Sequence, residues 1–200
     1  FWRRIRRNGP AMFGIIWLGL VVLMAIVPQV FSTHDPLLQE MSNRFGRPSG
    51  DHWLGADSFG RDIYSRLVWG SRYALASVGI GLGVATVVGI PIGMLSGWLG
   101  GRFDRVVMWI IDVIFALPLI LIAMAVIAVV GQGLVPAMTA VGVLLSTRFA
   151  RMARGITLAE REQLYVDSAR ITGLPTRTIL RRYVLPNLLP DLMVGFAIVA

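Results

Sequence analysis

Long uncharged stretches alternate with short arginine-rich segments along this chain, and that pattern predicts membrane-spanning helices. A helix needs about 20 mostly apolar residues to cross about 30 Å of hydrocarbon. Residues 11–31 and 73–99 are uncharged and long enough. They predict the first and second spans.

A third uncharged stretch, residues 113–147, is too long for a single crossing. As one helix it would measure about 52 Å, at about 1.5 Å per residue. The glycine-containing turn at 131–133, followed by Pro136, is a natural place to fold it. We therefore predict a hairpin of two spans, residues 106–130 and 134–150.

The remaining segments are the links between these spans and the two ends of the chain. Residues 1–10 precede the first span, residues 32–72 form a long loop, and residues 154–183 form a second loop. Residues 186–200 predict the start of a fifth span. Because the chain begins with Phe1 and stops inside this apolar run, we expect an all-α fragment covering about four helices and the start of a fifth.

The distribution of arginine predicts the orientation in the membrane. The chain has 19 basic residues, all of them arginine, and 11 acidic residues, a net charge of +8. The positive excess lies in residues 1–10, 102–105 and 148–182, whereas residues 32–72 have no net charge. Because positive residues favour the cytoplasmic side, we predict a cytoplasmic N-terminus and an extracytoplasmic 32–72 loop. This topology explains the basic charge without any binding of nucleic acid.

Composition supports a membrane protein and excludes several kinds of site. The chain is 56% hydrophobic and 15% charged, against about 45–50% and about 25% in soluble proteins. It has no lysine, so it cannot form a Walker A phosphate-binding loop. It has no cysteine, which excludes disulfides, thiolate metal sites and cysteine nucleophiles.

The 154–183 loop is predicted to form a helical hairpin at the inner membrane face. Thr157 and Glu160 have capping-box spacing, which predicts a helix from about residue 158 to 172, ended by Gly173. A second short helix is predicted at 177–183. The predicted apolar sides of the two helices comprise Leu158, Tyr165, Ala169, Ile171, Ile179, Leu180 and Val184. From the pattern alone, this hairpin is either an interfacial linker or a docking element.

The same loop resembles a known motif. Asp167-Ser168-Ala169, three residues, Gly173, nine residues, Tyr183 and then Leu185-Pro186 are similar to the "EAA" loop of bacterial ABC-importer permeases. Asp167 stands where that motif has Glu, and Ser168 where it has Ala. The resemblance implies that the loop docks in a groove of a cytoplasmic ATPase. The coupling residues that it implies are Glu162, Tyr165, Asp167, Ser168, Ala169, Gly173, Leu185 and Pro186.

A second motif narrows the resemblance to the dipeptide/oligopeptide/nickel permeases. Residues 52–72 are similar to their H-x-L-G-T-D-x-x-G-R-D-x-x-S-R-x-x-x-G-x-R segment, with Ala56 in place of the usual Thr. Residues 1–8 and Asp35-Pro36 resemble the "C" permease subunit rather than its "B" partner. Together these matches extend from residue 1 to residue 200.

This resemblance implies a multi-pass permease of the type I ABC-importer kind in the bacterial plasma (inner) membrane. Its implied partners are a homologous permease forming a heterodimer, two cytoplasmic ABC ATPases and an extracytoplasmic solute-binding protein. The chain itself is expected to bind no cofactor and to catalyse no reaction, because the ATPases bind ATP and Mg. Di- or oligopeptides are the expected solutes, with a nickel chelate or another small solute as the alternative.

Small residues recur every four positions in the second span, at Gly81, Ala85, Gly89, Gly93 and Gly97. Such a stripe lets another helix approach closely, so we interpret it as a packing surface. A role in lining the solute path is the alternative. Pro91 in the second span and Pro118 in the third are expected to kink their helices.

Two acidic residues, Asp112 and Asp191, fall inside predicted spans. A carboxylate at such a depth faces protein or water. We expect Asp112 to pair with an arginine such as Arg105, or else to contribute to the solute pathway, and Asp191 has the same two interpretations.

The two histidines, His34 and His52, lie 18 positions apart in the 32–72 loop. They lack ligand spacing such as H-E-x-x-H, so surface or loop-packing roles are expected and no metal site is predicted. Opposite charges in Gly60-Arg61-Asp62 are expected to pin the loop.

Two other classes of protein remain as rivals. One is an intramembrane enzyme, for which the predicted spans offer few catalytic candidates. The other is a secondary transporter driven by an ion gradient, although the helices show no inverted repeat.

Overall fold

The computed structural model describes residues 8–116 and 118–199. Within these residues the regular secondary structure is helical, apart from one isolated antiparallel bridge between Ala56 and Asp62. The all-α class is confirmed. The elements in chain order are α1 (Gly9–Ile26), α2 (Pro28–Phe31), a 3₁₀ turn (Met41–Asn43), α3 (Ile63–Leu99), α4 (Gly101–Ala116), α5 (Leu119–Val130), α6 (Leu134–Arg161), α7 (Leu164–Ile171), α8 (Thr176–Ile179), a π-helical turn (Leu180–Val184) and α9 (Leu185–Val199). The N-terminal arginines Arg3, Arg4, Arg6 and Arg7 lie outside the described residues.

The chain divides into two compact units, Phe1–Ala76 and Ser77–Ala200. The long helix α3 contributes its first part to one unit and the remainder to the other. Each unit has its own buried side chains.

In the first unit, α1 is an apolar helix with an exposed surface. Asn8 caps it, since its side-chain oxygen accepts a hydrogen bond from the Ala11 amide at 3.4 Å. The helix ends before Pro28, whose ring restricts the preceding residue to non-helical angles. The predicted span 11–31 is therefore divided between α1 and the short helix α2. A helix that is apolar all round suits a lipid environment.

The loop between α2 and α3 is organised around Asp57. Its Oδ1 accepts hydrogen bonds from the amides of Phe59 (2.8 Å) and Arg61 (3.0 Å). Its Oδ2 accepts hydrogen bonds from the side chains of Arg61 (2.8 Å) and Arg66 (3.0 Å). Desolvation raises the pKa of Asp57, but the hydrogen bonds from Arg61 and Phe59 outweigh it and lower that pKa to about 2. Arg61 thus pairs with Asp57 and not with its neighbour Asp62, so the two opposite charges hold the loop through different partners.

Asp62 instead binds the residues at the start of α3. It accepts hydrogen bonds from the Ser65 amide at 2.7 Å and from His52 Nδ1 at 3.0 Å. Desolvation raises the pKa of Asp62, and the hydrogen bonds from Ser65 and His52 outweigh it, so that the pKa lies below its ordinary value. This arrangement caps α3 at Ile63, ten positions before the predicted start at residue 73. The prediction began the helix after Arg72, but the structure includes Arg66 and Arg72 in it.

In the second unit, α4 and α5 form a bent pair and α6 runs beside them. The bend between α4 and α5 is 89° and lies at a break that includes Pro118. The hairpin turn that follows has positive φ at Gly131 (+103°) and Gly133 (+152°), a conformation that favours glycine. By length and composition, α1 and α3 can each cross a membrane, as can the α4–α5 pair if it counts as one span. The other spans stay predictions.

The structure extends α6 well beyond the predicted span 134–150, to Arg161. Thr157 lies inside this helix and is fully buried, so the prediction that it begins a new helix is wrong. Buried residues continue at helical spacing through the arginine-rich stretch, at Phe149, Ala153 and Thr157. This buried face packs into the core, and its burial stabilises the helix through the arginine-rich stretch.

The stripe of small residues on α3 lies against α6. A Cβ added at Gly97 would come within 2.7 Å of the Arg154 carbonyl oxygen, and Cβ atoms at Gly89 and Gly93 would overlap the Ser146 and Ala150 carbonyls. The contacted residue of α6 advances by four positions for every four positions along α3. The two helices therefore run parallel, with their backbones in close contact. Gly81 lies near Met138, and Ala85 is fully buried in the same row.

Candidate coupling site

The candidate site is the turn between α6 and α9, which contains α7. The chain leaves α6 at Arg161, passes Glu162 and Gln163, and enters α7 at Leu164. The expected single helix from residue 158 to 172 is thus two helices separated by a two-residue break. The carboxylate of Asp167 lies in the first turn of α7, where the partial positive charge of a helix N-terminus favours it.

Gly173 ends α7 in a left-handed conformation, with φ of +77°. Its amide donates to the Arg170 carbonyl at 2.9 Å, and the Leu174 amide donates to the Ala169 carbonyl at 3.2 Å. These two bonds make a Schellman motif, which satisfies the last carbonyls of the helix. A side chain at Gly173 would meet open space, so the backbone angle alone is what favours glycine there.

One face of α7 belongs to the core of the second unit and the opposite face is exposed. Val166 and Ala169 are buried against Ile179 and Val184. Leu164 and Ile171 lie two turns apart and are 83% and 86% exposed, with Asp167 and Ser168 between them on the same face. Ile171 was expected on one apolar side with Ala169, but the structure places it on the opposite, exposed face.

A polar cluster fastens α7 to both neighbouring helices. The Tyr165 hydroxyl donates to Glu160 of α6, and the Asn187 side-chain amide of α9 donates to Glu160 Oε2 at 3.2 Å and to the Tyr165 hydroxyl at 2.8 Å. The Tyr165 ring also stacks with that of Tyr183 at a centroid distance of 6.2 Å. Of this cluster only Tyr165 was predicted as a site residue.

Two arginines connect this turn to the end of α3. Arg161 donates to the carbonyls of Gly97 (3.4 Å) and Trp98 (3.3 Å), and a cation at this helix C-terminus is favourable. The Arg170 guanidinium of α7 lies 4.7 Å from the centre of the Trp98 ring, a cation–π contact. A displacement of α7 would therefore act on α3 as well as on α6 and α9.

The remaining predicted site residues lie around this turn. Glu162 is exposed beside Arg161, with a distance of 3.2 Å between Oε1 and the guanidinium Nε. Leu185 packs against the core, whereas Pro186 is exposed in the first turn of α9. Tyr183 and Pro186 lie in continuous helix, which extends from Thr176 through the π-helical turn to Val199.

The two candidate intramembrane acids are in different surroundings. Asp112 of α4 pairs with Arg151 of α6, and the Arg151 guanidinium also lies 4.3 Å from the centre of the Phe115 ring. The expected partner of Asp112 was Arg105, but the structure pairs Asp112 with Arg151. Asp191 is exposed on α9.

Residues 89–200 match the family model described as "Binding-protein-dependent transport system inner membrane component". The chain belongs to this family. Residues 1–48 of this inner membrane component match the "N-terminal TM domain of oligopeptide transport permease C". The resemblance inferred from the two sequence motifs, including the "C" type, is confirmed.

Curated relatives cover nearly all of this inner membrane component. It is 37% identical over 198 residues to the glutathione transport system permease protein GsiD of Pectobacterium atrosepticum, which covers 98% of this chain and 66% of the relative. It is 37% identical over 197 residues to the GsiD protein of Escherichia coli O6:K15:H31, covering 98% and 65% respectively. The chain thus spans slightly less than two thirds of the length of these relatives.

Proposed function

We propose that this chain is the transmembrane permease subunit of an ATP-driven ABC importer and that α7 is its coupling helix. The observation that carries the proposal is the construction of the α7 turn. One face of α7 is buried in the permease core, while the other presents exposed apolar side chains at Leu164 and Ile171. An exposed apolar pair on a helix that is so firmly fastened indicates a surface that another protein covers.

The same turn explains how motion would pass into the membrane. An ATPase that pushes on α7 also moves Tyr165 and Arg170, which contact Asn187 and Trp98. Closure of two ATPases would bring two such turns together and switch the helices between inward- and outward-facing states. ATP and Mg would be bound by the ATPases, because this chain has no lysine for a Walker A loop.

The proposed assembly has four further components and a fixed orientation. A homologous permease would complete the solute pathway, two ATPases would dock in the cytoplasm, and a binding protein would deliver the solute outside. The arginine excess in residues 148–182 supports a cytoplasmic α7 turn, and hence a cytoplasmic N-terminus.

A peptide-like molecule is the proposed solute. The relatives are glutathione transport permeases by name, glutathione is a tripeptide, and the N-terminal match is to an oligopeptide permease. A nickel chelate is the alternative within the same family resemblance. Uptake into proteoliposomes holding the whole importer, measured with glutathione, a dipeptide and Ni²⁺ in turn, distinguishes these solutes.

Co-purification tests the proposed coupling. The full-length permease is expressed with its homologous partner and the ATPases, extracted in mild detergent and captured through a tag on this chain. We expect Ile171→Arg to lose most of the ATPase, because it replaces one of the two exposed apolar side chains of α7 with a charge. Leu38→Arg, an exposed leucine in the 32–62 loop, is the control and should retain it.

A glycine pair provides a second test that leaves the apolar face unchanged. Gly173 and Gly155 both have open space where a Cβ would lie, but only Gly173 has positive φ. Gly173→Ala should therefore weaken ATPase recovery through the turn, and Gly155→Ala should not. Full ATPase recovery with both Ile171→Arg and Gly173→Ala would reject α7 as the coupling helix. If no ATPase co-purifies with the wild type even after crosslinking, the secondary-transporter interpretation takes its place.

A further inference from the structure

Three side chains that can act as metal ligands lie close together in the loop of the first unit. His34, His52 and Asp62 each offer one ligand atom, and these three atoms lie within 4.8 Å of one another. The sequence separates the residues by 18 and 10 positions, so their proximity is a product of the fold. His34 and His52 are the only two histidines in the 200 residues.

Asp62 is the most firmly held of the three. Its side chain is 1% exposed, and the Ser65 amide donates to its Oδ2 at 2.7 Å. The Thr33 hydroxyl donates to the same oxygen at 3.4 Å, while Oδ1 accepts from His52 Nδ1 at 3.0 Å. A buried carboxylate that is oriented in this way is well placed to act as a ligand.

The two imidazoles are positioned by the same surroundings. The His34 amide donates to Ser65 Oγ at 2.9 Å, and His34 Nδ1 lies 3.1 Å from Thr33 Oγ1. The two rings stack with a centroid distance of 4.7 Å, and the His52 side chain is 12% exposed. Both rings are therefore close to Asp62 before any ion binds.

We propose that His34, His52 and Asp62 bind one divalent transition-metal ion of the Zn²⁺ or Ni²⁺ class. Two imidazole nitrogens with one carboxylate oxygen suit such ions, whereas Mg²⁺ and Ca²⁺ prefer oxygen ligands alone. Metal–nitrogen distances of about 2.0–2.1 Å place neighbouring ligand atoms roughly 3.3 Å apart. Small rotations of the two rings close the cluster to that spacing.

The site has an opening to its surroundings. His34 and Thr33 line a cavity of about 720 Å³ whose other walls include Arg66 and Trp69. An ion can reach the His34 side of the cluster through this cavity, and the remaining coordination positions can be filled by water or solute. Bound metal would join the beginning and the middle of the loop to the start of α3. The site would exist whether or not α7 couples to an ATPase.

Metal titration of the whole importer tests the proposal. The full-length permease, purified with its partners without a polyhistidine tag and freed of metal by a chelator, is titrated with Zn²⁺ by calorimetry and with Co²⁺ by visible absorption. We expect the wild type to bind one more Zn²⁺ than His34→Gln and His52→Gln, with each variant weakening that site by at least about 10-fold. The Co²⁺ absorption bands of the site should disappear in parallel.

Asp51→Asn is the matched control, since Asp51 is an exposed carboxylate next to His52 and lies outside the cluster. It should bind Zn²⁺ as the wild type does. Thermal unfolding without metal shows whether each variant is folded, and His34→Gln keeps the test decisive because the His34 ring contacts Thr33 and His52, neither of which is fully buried. Equal Zn²⁺ stoichiometry and affinity in the wild type and both histidine variants would overturn the proposal, as would wild-type protein that binds neither metal.

Discussion

Arg154 and Asp104 form a bidentate ion pair that joins α6 to α4. Arg154 Nε lies 2.5 Å from Asp104 Oδ1, and its NH2 nitrogen lies 2.6 Å from Oδ2. The Ser96 hydroxyl of α3 donates to the same Oδ1 at 2.5 Å. One carboxylate therefore holds three helices, close to the position where Gly97 lets the α3 and α6 backbones touch.

The first prediction concerns the strength of this junction. Asp104→Asn should lower the free energy of unfolding by about 1–3 kcal/mol, because the Arg154 charge remains without its partner in a partly buried place. Combining it with Arg154→Gln in a double-mutant cycle should give a coupling energy of at least about 1 kcal/mol. Unfolding of the purified protein in mild detergent measures both quantities.

The Asp112–Arg151 pair is the control for that cycle. Its side chains are 66% and 45% exposed, so its coupling energy should fall in the range of about 0–1 kcal/mol. Equal coupling energies for the two pairs would show that burial and bidentate geometry do not strengthen the Asp104–Arg154 ion pair.

The second prediction concerns the contact between α3 and α6. Gly93→Ala should lower the melting temperature and the yield of folded protein, because the new methyl group would overlap the Ala150 carbonyl of α6. Gly83→Ala is matched to it, since Gly83 lies on the same helix with open space around it. That substitution should be neutral or slightly stabilising, because alanine favours helix over glycine. Comparable losses in both variants would mean that the stripe is not a packing surface.

Local signals in the sequence were sufficient for several parts of this fold. The glycines at 131, 133 and 173 adopt positive φ where the chain turns, and the small-residue stripe on α3 faces a neighbouring backbone. These features depend on the residue type itself, because only glycine combines freedom of φ with the absence of a side chain. A sequence read alone can therefore locate them.

Other parts were missed because charge was taken as the end of a helix. Arg148, Arg151 and Arg154 lie on α6, yet the helix continues, since its opposite face remains apolar and buried. The helical pattern of Phe149, Ala153 and Thr157 was a signal that could have shown this.

Contacts between distant segments had no local signal at all. Nothing near Glu160 indicates that Asn187 will donate to it, and nothing near Asp112 favours Arg151 over Arg105. Such pairs depend on how helices are placed in space, which the spacing of residues within one helix does not determine. The proximity of His34 to His52 belongs to the same class.

The third prediction is a pH dependence that comes from Asp57. Its pKa is lowered to about 2 in the folded loop, from 3.8 as the ordinary value. A lowered pKa means that the carboxylate stabilises the fold above the ordinary value and that this contribution is lost as the pH falls towards about 2. The melting temperature of the wild type should therefore exceed that of Asp57→Asn by a constant amount near neutral pH. The difference should shrink between about pH 4 and pH 2.

Asp51→Asn serves as the comparison for the acid titration, because Asp51 is an exposed carboxylate of the same loop. It should differ little from the wild type at any pH. A difference between the wild type and Asp57→Asn that stays constant down to pH 2 would contradict the assigned role of the Arg61 and Arg66 hydrogen bonds.

The last prediction uses a buried polar atom in α6. Among the described residues, Thr157 Oγ1 is buried without a hydrogen-bond partner, while its methyl group packs against Gly97. Thr157→Val keeps the shape and removes the desolvated hydroxyl, so it should raise the free energy of unfolding by about 1 kcal/mol. Thr147→Val is the matched control, because the buried Thr147 hydroxyl donates to the Leu144 carbonyl at 2.6 Å. Removing that satisfied bond should give no comparable gain. If unfolding in mild detergent instead shows Thr157→Val to be less stable than the wild type, the hydroxyl is hydrogen-bonded in the folded protein, at the point where α6 meets the end of α3.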